Sequence, residues 1–263
     1  NDDLTLAQVQ GLNTSSNEIT PSINGAGTVL FYASDRSTPD ASGVAPKGGY
    51  DIYVLVRNAR DEPWRGPFNC QNLNTSSDDR DPEITPDDEW IFLSSNRSGG
   101  LGGYDMYRAQ RNYPANSQGL RPEERFRDWK NTAAISIVNT PVNDLGAGWD
   151  DNNGLLYFTS DRPGSPKNDT DVWESPGSPD DPSSFELPVK TGAPISTEGA
   201  TALSEKHPDL SASGAFYLQI DAKDGGLGGS DIWVTSKTSQ AVPTLSEWGM
   251  IVFVGILAVA LGV

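Results

Sequence analysis

The chain is poor in the side chains that carry out nucleophilic or general-base catalysis. It contains a single histidine, His207, and a single cysteine, Cys70. A Ser-His-Asp or Cys-His arrangement would have to be built on one of these two residues. His207 precedes Pro208 just as Asp81 precedes Pro82, so we interpret it as part of a recurring turn. We predict that Cys70 is a small core residue, that the chain has no catalytic residue, and that it is not an enzyme.

Basic and acidic residues recur at matched places along the chain. Four times, an arginine or a lysine is followed by an Asp-x-aromatic tripeptide. A charged pair that joins the two across a hairpin would fix the register of its strands. A row of aspartates along a channel could instead bind a cation, but a feature found in every copy is typical of a structural contact. The predicted pairs are Arg36 with Asp51, Arg97 with Asp105, Arg162 with Asp171, and Lys223 with Asp231.

Three acidic segments could supply the carboxylate oxygens that Ca²⁺ prefers as ligands. They are residues 78–81, 87–89 and 221–225. None of them has the Asp-x-Asp-x-Asp-Gly spacing of a calcium loop. Aspartate and glycine are also the residues that tight turns require. We therefore predict turns and no cofactor, with calcium as the alternative.

Seven tryptophans raise the question of sugar binding through stacking on exposed rings. Trp90, Trp173 and Trp233 occupy repeat positions that hold other apolar residues in other copies, which indicates a core role. The sequence leaves the alternative of an exposed ring open for Trp64, Trp129 and Trp149.

These residues belong to four copies of one module of roughly sixty residues. Leu-Asn-Thr-Ser-Ser at 12–16 returns at 73–77, and Gly-Gly-Leu-Gly-Gly at 99–103 returns at 225–229. Every copy ends in the Asp-x-aromatic tripeptide. We place the copies at about 12–58, 73–110, 138–176 and 195–237.

Within each copy the apolar residues form a short continuous run. The runs span residues 29–32, 90–93, 155–158 and 216–218, with turn residues on either side. Such a run predicts a strand buried on both faces, and a blade packed between two other blades provides that environment. We predict an all-β, four-bladed β-propeller over residues 1–240. A strand at 4–9 is expected to pair with the fourth blade and close the ring, which removes exposed sheet edges.

The repeat also resembles a known family. Its pattern runs from Asn-Thr through Asp-Pro and an apolar strand to Ser-x-Arg and Gly-Gly-x-Asp-Ile-Tyr, and residues 81–87 show the central part best. This pattern is similar to the WD40-like β-propeller repeats of TolB-type periplasmic proteins. The third copy departs from it, with Gly146-Ala147 in place of Asp-Pro. The resemblance covers residues 5–236 and implies a propeller, but propellers host many unrelated activities.

The composition changes abruptly at residue 241. We interpret 241–248 as a linker and helix cap, because Ser246 suits an N-cap and Glu247 suits the first turn of a helix. Residues 249–263 predict a hydrophobic C-terminal α-helix, which is short for the hydrocarbon core of a bilayer. The segment 242–249 resembles the IPTL-type C-terminal sorting signal of bacterial surface proteins.

The predicted C-terminal helix carries small residues on one face. Gly255, Ala258 and Gly262 are spaced so that a second helix could approach closely, and Trp248 lies at the beginning of the segment. We predict that these residues form oligomer or membrane contacts. The preferred interpretation is a homo-oligomer formed through residues 245–263, and the alternative is a membrane contact.

Charge and the terminal segment together point to a location and a role. A net charge of −17 makes nucleic acid an unsuitable partner, because the phosphates would be repelled. We expect a secreted protein on the extracellular side or outer cell surface of a bacterium. The predicted function is a non-enzymatic structural or adhesive subunit that self-assembles, for example into a fibre, through its C-terminal helix. The alternative is a membrane-anchored propeller that binds a protein or a glycan.

Overall fold

Four antiparallel sheets follow one another along the chain, and we number them as blades 1 to 4. The computed structural model describes residues 12–113, 117, 119–164, 170–192, 195–196, 205–210, 215–221 and 230–236. The predicted all-β, four-bladed β-propeller is confirmed by these residues. The predicted closing strand at 4–9 and the predicted helix at 249–263 lie outside them.

Each blade is built from strands that pair in sequence order. Blade 1 contains β1 (Glu18–Ile23), β2 (Val29–Ser34), β3 (Asp51–Val56) and β4 (Arg65–Asn69). Blade 2 contains β5 (Asp79–Ile84), β6 (Trp90–Ser95), β7 (Asp105–Arg111), the short helix α1 (Pro122–Phe126) and β8 (Trp129–Ala134). Blade 3 contains β9 (Asp144–Asp150), β10 (Leu155–Ser160), β11 (Asp171–Pro176), a 3₁₀ turn (Pro182–Ser184) and β12 (Val189–Lys190). Blade 4 contains β13 (Glu205–Leu210), β14 (Ala215–Asp221) and β15 (Ser230–Ser236).

The continuous apolar runs are the second strands of the blades, and their alternate side chains enter different cores. In blade 2, Ile91 and Leu93 pack with Phe31 of blade 1, whereas Phe92 packs with Trp149 and other residues of blade 3. The same division recurs at the next interface, where Tyr157 of blade 3 contacts Phe216 of blade 4. A side chain of this size contributes about 1.5–3 kcal/mol when it is fully buried. Because both faces of the run are buried in blades 1 to 3, the run needs no polar alternation there, whereas in blade 4 Tyr217 is exposed.

The first strand of every blade contains a bulge at the same place. The residue at the bulge has a positive φ in each blade, and the strand register with its neighbour shifts there. In three blades a proline follows, which suits a bulge because proline cannot donate a ladder hydrogen bond. The bulged residues are Thr20, Asp81, Gly146 and His207.

The first strands of all four blades line cavities along the centre of the propeller. Blade 4 presents Ile232 and Val234 of its last described strand to solvent, with 80% and 63% of their surface exposed. Among the described residues, no helix has the length and apolar composition needed to cross a membrane.

Candidate functional site

The arginines of the predicted pairs contact carboxylates other than the predicted ones. Arg97 Nη2 lies 2.5 Å from Asp79 Oδ1, and Arg162 Nη2 lies 2.5 Å from Asp144 Oδ1. Arg36 lies 3.4 Å from Glu18 in the same way. These acids lie on the first strand of each blade, whereas the prediction used aspartates of the third strand.

The position of each arginine explains the different partner. Arg97 follows the end of β6, and its Nε donates to Ser95 Oγ, which turns the side chain back over its own blade. Its Nη2 then reaches the Leu73 carbonyl oxygen, 2.7 Å away, at the entrance to the blade. Arg162 makes the equivalent bonds to Ser160 and Val138. The arginine therefore joins the second strand to the first and not to the third.

The aspartates of the predicted pairs have structural contacts of their own. Asp51 accepts hydrogen bonds from the backbone N–H groups of Lys47 and Gly48, and Asp105 accepts them from Leu101 and Gly102. Burial raises the pKa of both carboxyl groups. In blade 3, Asp171 lies 3.0 Å from Lys190 Nζ. Lys223 and the side chain of Asp231 lie outside the described residues.

The acidic segments 78–81 and 87–89 are engaged in turns and blade contacts, whereas the side chain of residue 221 and residues 222–225 lie outside the described part of the chain. Asp78 accepts a hydrogen bond from the Tyr104 hydroxyl group at 2.8 Å, and Asp87 Oδ1 accepts one from the Glu89 backbone N–H at 2.9 Å. Across the part of the chain that the structure describes, no three or more His, Cys, Asp or Glu residues are grouped to hold a metal ion.

The three tryptophans considered for sugar stacking do not present free rings. Trp129 and Trp149 are buried in the cores between blades. Trp64 is half-buried, and the Arg57 guanidinium lies 4.2 Å from the centre of its ring. Cys70 is buried as well, and burial raises the pKa of its thiol, so the group is uncharged at neutral pH.

Two adjoining cavities lie where the first strands of the blades meet, and together we call them the axial cavity. Their volumes are about 500 and about 690 Å³. Pro21, Glu83, Asp209 and Tyr217 line both of them. The two parts of the axial cavity therefore adjoin at residues of blades 1, 2 and 4, and residues of blade 3 line each part.

Two equivalent positions of each first strand differ from blade to blade, and all of their residues except Gly148 line the axial cavity. The bulge position holds Thr20, Asp81, Gly146 and His207, and the position two residues later holds Ser22, Glu83, Gly148 and Asp209. At these two positions blades 2 and 4 have carboxylates and blade 3 has glycines, although blade 3 supplies Asp150 and Asp151 at the end of its first strand. A Cβ at Gly148 would lie 2.3 Å from the Pro208 carbonyl oxygen, so only glycine permits this approach of blades 3 and 4.

Asp81 is the most buried acid of the axial cavity, with 3% of its surface exposed. No described residue donates a hydrogen bond to either of its carboxylate oxygens, and both oxygens are enclosed by protein. The nearest basic nitrogen atoms among the described residues are Arg80 Nε, 3.4 Å from Oδ2, and His207 Nδ1, 3.9 Å from Oδ1. The Arg80 guanidinium lies over the Tyr104 ring at 4.3 Å. A buried carboxylate without hydrogen bonds is unusual, since such groups are normally paired.

Glu83 lies two residues further along the same strand and is held by blade 1. Ser22 Oγ donates a hydrogen bond to Glu83 Oε2 at 2.9 Å and accepts one from the Ile84 backbone N–H. Burial, together with the nearby Asp209 carboxylate, raises the pKa of Glu83 to about 8. Burial also raises the pKa of Asp209. At pH 7 the axial cavity therefore holds a mainly protonated Glu83 beside other acidic groups.

This arrangement permits two kinds of chemistry. A protonated carboxylic acid beside another carboxylate can serve as a proton donor in acid–base catalysis. A cluster of acids can also bind a positively charged group. Sequence reasoning assigned Asp81 and His207 to a framework turn and overlooked Glu83 and Asp209. The sequence feature that could have indicated a site is the variation among the copies, because the four aligned copies carry different residues at these positions.

Comparison with known proteins supports the sorting segment and the fold. Residues 240–262 match the IPTL-CTERM motif, a C-terminal sorting motif of exported bacterial surface proteins. The predicted resemblance of this segment is thereby confirmed, and it is consistent with a cell-surface or extracellular location. A search of curated proteins found no match.

Among solved structures, the chain is similar to several propellers. One is the endo-arabinase from Bacteroides thetaiotaomicron, at 9% identity and a TM-score of 0.51, with 88% of this chain and 78% of that chain covered. Another is a thermostable family-43 glycoside hydrolase, at 11% identity and a TM-score of 0.51, with 87% and 71% covered. TolB from Acinetobacter baumannii matches at 12% identity and a TM-score of 0.45, with 84% and 41% covered. Membership of the WD40-like repeat family stays a prediction.

The prediction that the chain is not an enzyme is contradicted by these comparisons. The similar propellers include glycoside hydrolases, so the scarcity of histidine and cysteine does not exclude catalysis in this architecture. Carboxylates alone suffice for glycoside hydrolysis, and the axial cavity contains carboxylates. The likeness is one of fold.

Proposed function

We propose that the chain is an exported bacterial surface protein whose propeller binds a ligand in the axial cavity. The observation that carries the proposal is Asp81, a buried residue at the cavity whose carboxylate oxygens accept no hydrogen bond from any described residue. A ligand that donates hydrogen bonds or carries positive charge would supply the missing partner. Binding at a cell surface also accounts for the adhesive role expected from the sequence.

The repeat comparison supports a binding role for this position. Contacts that join the strands within a blade recur, as the Arg97 and Arg162 contacts do. The axial positions differ among the copies, and such differences are expected where a site is built on a repeated scaffold.

The test compares ligand binding by three versions of the full chain. The labelled protein is applied to glycan and peptide arrays as wild type, as the triple variant Asp81→Asn, Glu83→Gln, Asp209→Asn, and as the control Asp61→Asn. Asp61 is exposed and lies outside the axial cavity. We expect a ligand that the wild type and the control retain and the triple variant loses. Ligands bound equally by all three versions would contradict the proposal.

A second candidate function is hydrolysis of a glycosidic bond in the axial cavity. Glu83 favours it, because an acid with a pKa of about 8 is protonated at neutral pH and can donate to a leaving group. Release of nitrophenol from nitrophenyl arabinofuranoside tests this function. We expect Glu83→Gln to abolish the release and Asp61→Asn to leave it unchanged, and absence of release by the wild type argues against this substrate.

Self-assembly through residues 245–263 is a further part of the proposal and concerns residues outside those that the structure describes. The small residues Gly255, Ala258 and Gly262 support it, because their spacing allows close helix packing. Deleting 243–263 is expected to convert an assembly into a monomer in size-exclusion chromatography and negative-stain microscopy. Assembly by the truncated chain would contradict a role for the tail.

A further inference from the structure

We propose that the axial cavity binds an alkylammonium group, with Asp81, Glu83 and Asp209 supplying its counter-charges. This inference rests on the proposed function, because it names the class of ligand that the same site takes. Lysine side chains and polyamines are the two common sources of such a group.

The first argument is the hydrogen bonding of Asp81. Asp81 lines the smaller cavity, its two carboxylate oxygens accept no hydrogen bond from a described residue, and the residue is 97% enclosed by the protein. An ammonium group offers three N–H donors in a compact volume. It would satisfy oxygens that Arg80 and His207 approach without bonding.

The second argument is the apolar character of the wall between the acids. Pro21, Pro82, Ala147 and Pro208 line the smaller cavity beside Asp81, and Leu218 adds a branched side chain. Such a wall suits the methylene stem of a lysine or a polyamine, which buries its carbons while its charge reaches polar groups. Volumes of about 500 and 690 Å³ accommodate a chain of this size.

The third argument concerns protons. An ammonium group favours ionised carboxylates, so its binding should lower the pKa of Glu83 from about 8 and release a proton near neutral pH. Among the described residues, the other charged or titratable groups that line the axial cavity with Glu83 are Arg57, Arg60, Arg80, Asp81, Asp150, Asp151, His207 and Asp209. Arg57 and Arg60 donate to backbone carbonyl oxygens of the turn at 25–27, which fixes their guanidinium groups there.

The experiment measures binding of defined probes to the full chain by isothermal titration calorimetry. The probes are cadaverine, spermidine and Nα-acetyl-lysine methylamide, and Nα-acetylnorleucine methylamide is the uncharged control with a similar stem. We expect the ammonium probes to bind and the norleucine derivative not to bind. A stronger signal from the lysine derivative would indicate a protein ligand, and a stronger signal from the diamines would indicate a free polyamine.

The dependence on pH gives a second readout that does not require a variant to fold. If the ionised form of Glu83 is the one that binds, association should rise by up to about 90-fold between pH 6 and pH 9. Titrations near pH 7 in buffers with different ionisation enthalpies should show release of about one proton per ligand. Affinity that is constant or falls over this range would overturn the proposal.

The variants then locate the effect. We expect Asp81→Asn to weaken binding by at least about thirtyfold, as loss of one member of a buried charge pair does. Glu83→Gln should remove the part of the pH dependence of binding that comes from Glu83 and leave only the part from the other groups at the cavity. Asp61→Asn should change neither the affinity nor its pH dependence. Equal weakening by Asp61→Asn and Asp81→Asn would indicate non-specific attraction to the acidic surface and overturn the proposal.

The outcome also separates this inference from the proposed function. If no ammonium probe binds, while a neutral glycan or peptide from the arrays binds and depends on Asp81, the ammonium inference fails and the proposed function stands. If no ligand of either kind depends on the axial acids, both fail.

Discussion

The framework of each blade and the axis of the propeller are built in opposite ways from the same repeat. Within the blades, equivalent residues make equivalent contacts, as Arg97 does with Asp79 and Arg162 with Asp144. At the axis, the bulged position holds an acid in blade 2, a glycine in blade 3 and a histidine in blade 4. The comparison teaches that residues repeated in every copy stabilise the fold, whereas residues that differ among the copies supply the chemistry of the axial cavity.

The largest effect on stability should come from an interface core. Phe92 is fully buried and packs against Trp149 and Phe185 of the next blade. Phe92→Ala should lower the free energy of unfolding by about 3–5 kcal/mol, because it removes apolar burial and leaves a cavity. Denaturant unfolding measures the change. A loss below about 1 kcal/mol would show that blades 2 and 3 do not depend on this contact.

A smaller loss is expected when a recurring charged contact is broken. Asp79 is fully buried and also accepts hydrogen bonds from Thr75 and Ser95, so removing Arg97 leaves its charge undercompensated. Arg97→Ala should cost about 2–3 kcal/mol in denaturant unfolding. The matched control is Arg65→Ala, whose partly exposed pair with Glu123 spans 3.6 Å and should cost at most about 1 kcal/mol. Similar losses in both variants would contradict a special role for the Arg97 contact.

The axis should instead make stability depend on pH. The pKa of Glu83 is raised to about 8 in the folded chain, so the folded state holds a proton that the unfolded state releases at lower pH. Stability from this group is therefore fully present in acid below the pKa of the unfolded chain and is lost as pH rises through 8. Because Glu83 is half-buried, we expect about 1–2 kcal/mol between pH 5 and pH 8. The decline should be smaller in Glu83→Gln, and an identical decline would assign it to other groups.

The smallest effect on stability should come from Asp81→Asn. Asparagine tolerates the left-handed backbone at this position, where φ is 52°. The substitution also removes a buried charge without hydrogen bonds, so the free energy of unfolding should stay constant or rise by up to about 1 kcal/mol. Denaturant unfolding measures the change in stability, and the binding titration of the same variant measures the change in affinity. Asp81→Asn should lose affinity but not stability, whereas Arg97→Ala should lose stability. A loss above about 2 kcal/mol would show that Asp81 serves the framework.

The sequence was sufficient to predict the blades because their strands are recorded as continuous apolar runs. Runs such as 90–93 specify a strand buried on both faces, and the repeat specifies how many blades there are. The partner of Arg97 could not be predicted in this way. Its choice of Asp79 depends on the side chain bending back through Ser95, a three-dimensional detail that spacing along the chain does not record.

The axial site was missed for a different reason. When the copies are aligned, His207 occupies the same position as Asp81. The alignment therefore indicates that both residues form the same structural turn, and it gives no sign that they meet in a site. The bulge places these residues at one shared cavity, where Asp81 of blade 2 and His207 of blade 4 come together. His207 Nδ1 and Asp81 Oδ1 thereby lie 3.9 Å apart, although the two residues are 126 positions apart along the chain.

The alternating side chains of the second strands also set how the molecule comes apart. Ile91 and Phe92 are neighbours in the chain but belong to different interfaces, so neither interface can open without disturbing the strand that serves the other. Loss of one blade would uncover an apolar face on the next. The four modules should therefore unfold in a single cooperative transition, unlike independent domains, which unfold one at a time.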